Sequence, residues 1–331
     1  MSAAAPEGTG RPVLSWIALG VVYVVWGTTY LAIRVGVRHL PPLLFSGTRY
    51  VAAGALLLPI AWWATARRRR AGEGSAMPAA TAWLAVAVVG ILLLCVGNGG
   101  VSVGETMVPS GYAAVLVATV PLWMIVFAWP VQRQRVTRRS AAGLAVGLLG
   151  VAILVGPSLA SAHLVGVPIL LAAAAVWGFG SIVGRRLALP PNPLLAAALE
   201  MLIGGVALLA LAAATGEFSQ VRWAAVPAAS WIALAYLIGP GSILGFTCYG
   251  YALAHLPVTT VSTYAYVNPI VAVLAGSLVL SERVSWHEAI GAALVIGSIT
   301  IILHRSQRAS PPPDAGEGVP AAPAVASSQR L

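Results

Sequence analysis

Apolar residues fill most of the chain in long, uninterrupted runs, and short polar segments rich in arginine separate these runs. A helix needs about 20 apolar residues to cross a bilayer, and ten runs reach or approach that length. Because the runs are continuous and do not alternate, they predict helices and not the strands of a membrane barrel. The predicted spans are 14–33, 42–63, 82–103, 109–129, 140–157, 165–184, 193–214, 227–250, 256–279 and 286–303.

The positions of the arginines predict the orientation of these spans. All 19 basic residues are arginine. If the N-terminus is cytoplasmic, fourteen arginines fall on the cytoplasmic side, and only Arg34, Arg38, Arg222 and Arg283 fall on the other. Basic residues favour cytoplasmic loops. We therefore expect a multi-pass protein of the cell inner membrane with both termini in the cytoplasm: an N-terminal segment at 1–13 and a disordered tail at 305–331 rich in Pro, Ala, Ser and Gly.

Composition supports a membrane protein and excludes other classes. The chain is 59% hydrophobic and 8% charged, whereas a soluble domain carries about 25% charged residues. The net charge of +10 follows from arginines placed between the spans, so we expect no nucleic-acid partner. Cys95, Cys248 and five scattered histidines match no metal-binding spacing, and no phosphate-binding loop is present. We expect no catalytic residue, no metal and no cofactor.

The second half of the chain repeats the first at a nearly constant offset. Matched pairs include Trp26 with Trp177, Gly54 with Gly205, Gly97 with Gly245, Pro121 with Pro269 and Gly143 with Gly291. Each copy holds five predicted spans, and an odd number makes the second copy enter the membrane from the opposite face. The sequence therefore predicts an all-α integral membrane fold of ten transmembrane helices in two inverted five-helix repeats, at 14–157 and 165–304.

Inverted repeats are typical of secondary transporters, which exchange two similar packings by alternating access. Two other classes stay open. An integral-membrane enzyme acting on lipids would need polar or metal-binding residues clustered at one membrane face. A non-transporting scaffold would not need polar groups in the middle of the membrane.

Charged residues inside a span are costly and are usually functional. Arg49 in the second span and Glu200 in the seventh occupy equivalent positions in the two repeats. They are either a pair that responds to substrate or protons, or structural anchors. Glu105, at the external end of the third span, either caps the short loop, sits at the cavity mouth or is a solvated loop charge, and the last interpretation is preferred. Glu282 is expected to cap or anchor the turn before the tenth span.

Pro121 and Pro269 predict paired breaks in the fourth and ninth spans. Each proline removes a backbone hydrogen bond, and paired interruptions in a membrane protein point to a central site. Nearby polar groups then become cavity candidates, with packing or an interfacial position as the alternative. They are Thr119, Tyr264, Tyr266 and Asn268.

Three further side chains have two open interpretations. Trp26 and Trp177 can line an apolar cavity for an aromatic or amphipathic solute, or fill a helix interface. Asn98 is flanked by Gly97 and Gly99, and small residues let helices approach closely. Its amide then needs a partner, which is either a neighbouring helix or the substrate.

Several motifs, in order, resemble the EamA-domain family of the drug/metabolite transporter superfamily, in particular its YedA-type bacterial exporters. The motifs are Trp26-Gly27-Thr28-Thr29-Tyr30, Gly97-Asn98-Gly99, Pro109-Ser110-Gly111, Ala118 to Leu122, Trp177 to Ser181, Glu200-Met201-Leu202, Tyr264 to Pro269, and Glu282. The resemblance covers residues 14–304 and adds Tyr30 to the cavity candidates.

The resemblance implies a ten-helix fold and efflux of small organic solutes. The expected partners are a small-molecule substrate and the lipid bilayer, with protons as a candidate coupling ion and a monomer or homodimer as the assembly. The chain departs from the family at Gln134, where the first repeat lacks the glutamate that the second has as Glu282.

Overall fold

Helices make up the described part of the chain, as the apolar runs predict. The structure is a computed structural model that describes residues 11–71, 80–132, 138–155, 165–256, 258–261, 263–282 and 284–303. No strand occurs within these ranges. The tail predicted at 305–331, the linker at 156–164 and Gln134 lie outside them, so the predictions made there stay predictions.

The first half of the described chain contains α-helices and one π-helical segment, labelled here in chain order. They are α1 (Arg11–Val37), α2 (Pro42–Arg70), α3 (Ala80–Gly90), π1 (Ile91–Asn98), α4 (Gly99–Gly104), α5 (Ser110–Val117), α6 (Val120–Gln132) and α7 (Arg138–Val155).

The second half has a similar order, with two additional short helices between α9 and α11. Its elements are α8 (Gly166–Gly184), α9 (Pro193–Ala214), α10 (Glu217–Gln220), a 3₁₀ turn (Trp223–Ala225), α11 (Ala228–Tyr236), π2 (Leu237–Leu244), α12 (Gly245–His255), α13 (Val258–Val261), α14 (Tyr264–Leu280) and α15 (Trp286–Leu303).

Seven stretches of the described chain are long and apolar enough to cross a membrane. Two shorter apolar helices, at Ala141–Ile153 and Val267–Leu280, fall at the fifth and ninth predicted spans. Large apolar side chains face outwards, including Leu278 at 83% exposure and Trp63 at 63%, as expected for a surface in contact with lipid. The seven stretches are Val13–Val37, Pro42–Arg67, Thr81–Gly104, Ser110–Ala128, Gly166–Gly184, Pro193–Ala214 and Ala228–Ala252.

The third long helix of each half contains a π-helical segment. π1 joins α3 to α4, and π2 joins α11 to α12, so the two segments occupy nearly equivalent places in the repeat. Pro240 lies inside π2 and has no backbone N–H to donate, which disturbs the ordinary hydrogen-bond ladder. π-Helical turns are rare and often occur at functional sites.

The two prolines predicted to break helices behave differently. α5 ends at Val117 and α6 begins at Val120, so the fourth span is interrupted at Ala118 and Thr119, just before Pro121. α14, in contrast, runs unbroken through Pro269. The predicted break at Pro269 is therefore wrong. Pro269 lies only in the second turn of α14, where its missing N–H removes one helical hydrogen bond without ending the helix.

α2 and α9, the second long helices of the two halves, pack closely and run antiparallel. A Cβ atom added to Gly47 would lie 2.8 Å from Leu209, and one added to Gly54 would lie 2.9 Å from the Ala198 carbonyl oxygen. Residues later in α2 therefore contact residues earlier in α9, so the two helices run antiparallel. Glycine allows this approach because it has no side chain.

Other contacts also pair equivalent elements of the two halves. In α7 and α15, a Cβ added to Gly150 would lie 2.9 Å from the Gly291 carbonyl oxygen. Gly27 of α1 lies against Val271 of α14, and the equivalent Gly178 of α8 lies against Trp123 of α6. The interface between the halves thus contains matched contacts.

Candidate functional site

An aromatic cluster joins α1, α12 and α14 at the interface between the halves. The Trp26 ring centroid lies 5.4 Å from that of Phe246, 5.0 Å from Tyr249 and 5.2 Å from Tyr264. The structure therefore brings Trp26 and Tyr264 together, as two cavity candidates in direct contact. In this conformation their rings fill the helix interface.

Asn268 lies next to this aromatic cluster. Gly27, the neighbour of Trp26, approaches the Asn268 backbone, because a Cβ added there would lie 3.3 Å from the Asn268 carbonyl oxygen. The Asn268 side chain is buried, and its Oδ1 atom has no hydrogen-bond partner in the structure. An unsatisfied buried acceptor is rare in folded proteins. Asn268 Oδ1 is therefore free to accept a hydrogen bond from a donor on a bound solute.

Arg49 is buried where α2 meets π2. Its Nε atom donates to the Ser242 hydroxyl at 3.0 Å, and its guanidinium lies 4.7 Å from the centroid of the Tyr50 ring. Arg49 and Ser242 belong to different halves. The arginine is thus held across the interface by a neutral hydroxyl, and the Tyr50 ring of its own helix lies against the guanidinium, so neither partner is an anion.

Glu200 does not pair with Arg49. Both residues are described, and no ion pair joins them. Glu200 lies on α9 where this helix meets α3, since a Cβ added to Gly90 would be 2.7 Å from the Glu200 carbonyl oxygen. The antiparallel register of α2 and α9 places Glu200 beside residues beyond Gly54, about two turns from Arg49 along the helix axis.

π1 and α8 meet at Gly97, the neighbour of Asn98, and Trp177. A Cβ added to Gly97 would lie 3.0 Å from the Trp177 indole. The Asn98 amide reaches the Leu93 carbonyl oxygen at 3.5 Å, which is at the long limit for a hydrogen bond. The asparagine thus retains most of its hydrogen-bonding capacity.

Thr119 and Tyr30, two other cavity candidates, contact neighbouring protein groups. The buried Thr119 hydroxyl donates to the Leu116 carbonyl oxygen at 2.6 Å and so closes the turn between α5 and α6. Tyr30 packs against the largest apolar core cluster. The side chain of Tyr266 lies outside the described residues, although its backbone belongs to α14.

Two carboxylates of the second half cap helices of the first. Glu282 accepts from the Ser110 backbone N–H at 3.1 Å and from the Ser110 hydroxyl at 2.8 Å, at the start of α5. Glu217 accepts from the Leu44 N–H at 2.7 Å, at the start of α2. A carboxylate at a helix N-terminus satisfies free N–H groups and complements the helix dipole. The expectation that Glu282 anchors the turn before α15 missed this partner.

Glu105, directly after α4, is completely buried with 0% exposure. The interpretation as a solvated loop charge is wrong, because the loop between α4 and α5 folds inwards. Arg34 of α1 donates from Nη1 to the Glu105 carbonyl oxygen. Both carboxylate oxygens of Glu105 and the Nε atom of Arg34 have no hydrogen-bond partner in the structure.

Sequence reasoning missed Ser242, Phe246, Tyr249 and the burial of Glu105. The segment Gly239-Pro240-Gly241-Ser242 interrupts an apolar run and was the one available signal for Ser242. Nothing in the sequence distinguishes a buried Glu105 from an exposed one. Among the described residues, no group of three or more His, Cys, Asp or Glu side chains could hold a metal ion.

Comparison with known proteins identifies relatives along almost the whole chain. The EamA-like transporter family matches residues 14–156 and 164–304. The uncharacterized inner membrane transporter YedA of Escherichia coli strain K12 is 36% identical over 287 residues, which are 86% of this chain and 89% of the relative. A probable terminal-alkyne amino-acid exporter of Streptantibioticus cattleyicolor is 29% identical, covering 87% of this chain and 93% of the relative.

A crystal structure with 20% sequence identity superposes with a TM-score of 0.58, covering 91% of this chain and 99% of that chain. This likeness concerns the fold alone. The family match extends over both halves, and the described helices are apolar enough for a multi-pass protein of the inner membrane. The chain therefore belongs to the EamA-like transporter family.

Proposed function

We propose that this transporter is a secondary exporter of small metabolites or drugs that works by alternating access. The observation that carries the proposal is the antiparallel packing of α2 on α9, with a charged residue at the same repeat position of each helix, Arg49 buried and Glu200 partly buried. This packing supports the ten-helix inverted repeat, with units at 14–157 and 165–304.

The solute path runs along the interface between the halves. Arg49, Asn98 and Asn268 supply polar contacts there, Glu200 supplies a negative charge, and the Trp26 cluster supplies aromatic surface. The helices that hold these side chains pack against helices of the other half, so a change in the packing of the halves would move the side chains apart. That movement would expose the polar groups first to one side of the membrane and then to the other.

Export, as opposed to uptake, is supported by the name of the Streptantibioticus relative, an amino-acid exporter. We extend amino acids to this chain as the first solutes to test. The arginine distribution favours cytoplasmic termini, which would place the Glu105 end of the bundle outside.

The test is transport by the purified chain in lipid vesicles, with and without a pH gradient, using amino acids and cationic drugs as solutes. We expect at least one solute to move faster than in protein-free vesicles. Glu200→Gln is expected to slow transport of a cationic solute, because it removes a charge from the path. Movement no faster than in protein-free vesicles for every solute, in either direction, would overturn the proposal.

A further inference from the structure

The loop between α4 and α5 holds a carboxyl group in an unusual environment. Glu105 has no exposed surface, and neither of its side-chain oxygens accepts a hydrogen bond. Burying an ionised carboxylate without partners is very costly, and such a group normally binds a proton and becomes neutral. Glu105 differs in this respect from Glu282 and Glu217, whose carboxylate oxygens accept hydrogen bonds from backbone N–H groups.

The charges around Glu105 do not neutralise it. Among the neighbouring charges, Arg34 of α1 has the largest effect on the Glu105 carboxyl. Its hydrogen bond, however, goes to the backbone carbonyl oxygen of Glu105, and no ion pair joins the two side chains. Arg49 of α2 attracts the ionised Glu105 carboxylate more weakly than Arg34 does, whereas Glu282 repels it. Tyr30 of α1 also interacts with the carboxyl. α8, which packs against α4, carries no titratable side chain.

We propose that Glu105 is a proton-binding site that is occupied while this end of the bundle is closed and is emptied when the end opens. The proposal rests on the proposed transport function, because opening and closing of this end belong to the alternating-access cycle. Protonation takes one proton from water and converts the carboxylate to a neutral acid. Opening hydrates the group and returns the proton to water.

The balance between burial and the neighbouring charges agrees with this assignment. Burial raises the pKa of the Glu105 carboxyl well above its usual range, and Arg34 opposes the rise without cancelling it. When hydrated, a glutamate has a pKa of about 4.3 and loses its proton at neutral pH. A low external pH would thus favour the closed end, because proton binding to Glu105 stabilises the closed end relative to the open one.

Infrared spectroscopy of the protein in lipid tests the site without any solute. At neutral pH we expect a protonated carboxylic-acid band in the wild type that is lost in Glu105→Gln. Glu282→Gln is the matched control and should retain the band, since the Glu282 oxygens already accept hydrogen bonds at the start of α5. A spectrum that Glu105→Gln leaves unchanged would overturn the proposal.

Thermal unfolding against pH gives a second readout. Above the ordinary glutamate pKa the folded wild type holds a proton that the unfolded chain has lost, so stability must fall as pH rises towards the raised folded value. Glu105→Gln should reduce that slope, and Glu282→Gln should keep it. An equal slope in Glu105→Gln would contradict the assignment.

If Glu105→Gln does not fold, Glu105→Met tests the same point with an uncharged side chain that needs no hydrogen-bond partner. Failure of both variants to fold would mean that the ionised carboxylate is required, which overturns the proposal. None of these measurements depends on transport. A failed vesicle assay with an intact Glu105 band would count against export alone.

Discussion

At the scale of single residues, the interface between the halves contains two kinds of buried polar group. Arg49 and Asn192 have partners: the first bonds Ser242, and the second bonds Thr65 and the α9 N-terminus. Asn268 and Glu105 have unsatisfied side-chain oxygens. Groups with partners stabilise the fold, whereas unsatisfied ones cost stability and are therefore the better candidates for binding a solute or a proton.

Asn268 gives a prediction that separates binding from stability. We expect Asn268→Leu to raise the KM for the transported solute and to leave the unfolding temperature unchanged or higher, because the lost acceptor had no partner. Transport kinetics and thermal unfolding measure the two effects. Asn192→Leu is the control and should lower stability by about 1–3 kcal/mol, since it leaves partners unpaired. Strong destabilisation by Asn268→Leu would indicate a structural role.

Arg49 gives a second prediction. Hydrogen bonds to charged groups contribute about 1.5–3 kcal/mol, so Arg49→Gln should slow transport of a carboxylate-bearing solute by roughly ten- to a hundredfold. Ser242→Ala keeps the charge and should have a smaller effect. Initial rates in vesicles measure both. Equal losses in the two variants would mean that Arg49 acts through its hydroxyl partner and not on the solute.

Residue identities predicted part of this site. The cost of charge in a span drew attention to Arg49 and Glu200, and repeat register drew attention to Trp26 and Asn268. Whether a charge is buried depends on how a loop folds over it, which no local pattern encodes. Glu105 was therefore placed in solvent, and the Arg49–Glu200 pair could not be decided before the register of α2 on α9 was known.

At the scale of helices, glycine sets how closely the halves approach. Gly54 of α2 and Gly205 of α9 are equivalent in the repeat, and each faces the other helix. A Cβ added to Gly54 would lie 2.9 Å from a carbonyl oxygen of α9, and one added to Gly205 would lie 2.7 Å from the Val51 backbone nitrogen. Backbone atoms cannot move aside as a side chain can, so both contacts require glycine.

Gly54→Ala should therefore destabilise the fold. Overpacking a close contact costs about 1–3 kcal/mol, and we expect a lower unfolding temperature, measured by intrinsic tryptophan fluorescence. Gly250→Ala in α12 is the matched control, because a Cβ there meets no atom within 4 Å. That change should be neutral or stabilising by up to about 1 kcal/mol. A Gly54→Ala protein as stable as the Gly250→Ala protein would contradict the close packing of α2 on α9.

Helix existence was predictable from apolar length, but helix type was not. π1 and π2 differ from α-helix only in which carbonyl each N–H reaches, and residues 91–98 contain no proline that signals the change. Proline predicts a break at both Pro121 and Pro269, although its effect depends on its distance from the helix start. The fourth span is interrupted at Ala118 and Thr119, and the ninth span is interrupted between α13 and α14, ahead of Pro269.

At the scale of the whole molecule, equivalent helices of the two halves meet in antiparallel register. Gly47 lies against Leu209, whereas a parallel arrangement would place it beside its repeat equivalent, Ala198. The interface between the halves is therefore the structural basis of the proposed alternating access. The count of ten helices and the cytoplasmic termini stay predictions.

Disulfide cross-linking tests this register. In a chain with Cys95→Ala and Cys248→Ala, we expect the pair Gly47→Cys and Leu209→Cys to cross-link on mild oxidation, because the two positions are in contact. The pair Gly47→Cys and Ala198→Cys should not, since Ala198 lies about three helical turns from Leu209, towards the start of α9. Gel mobility with and without reductant measures both. The opposite result would require parallel halves.

The helix caps have a consequence for biogenesis. Glu217 and Glu282 are synthesised long after α2 and α5, whose first N–H groups they bind. While the ribosome is still making the second half, the first half lacks these two caps. Maturation must therefore wait for translation to pass residue 282, and a truncated first half would be a substrate for membrane quality control.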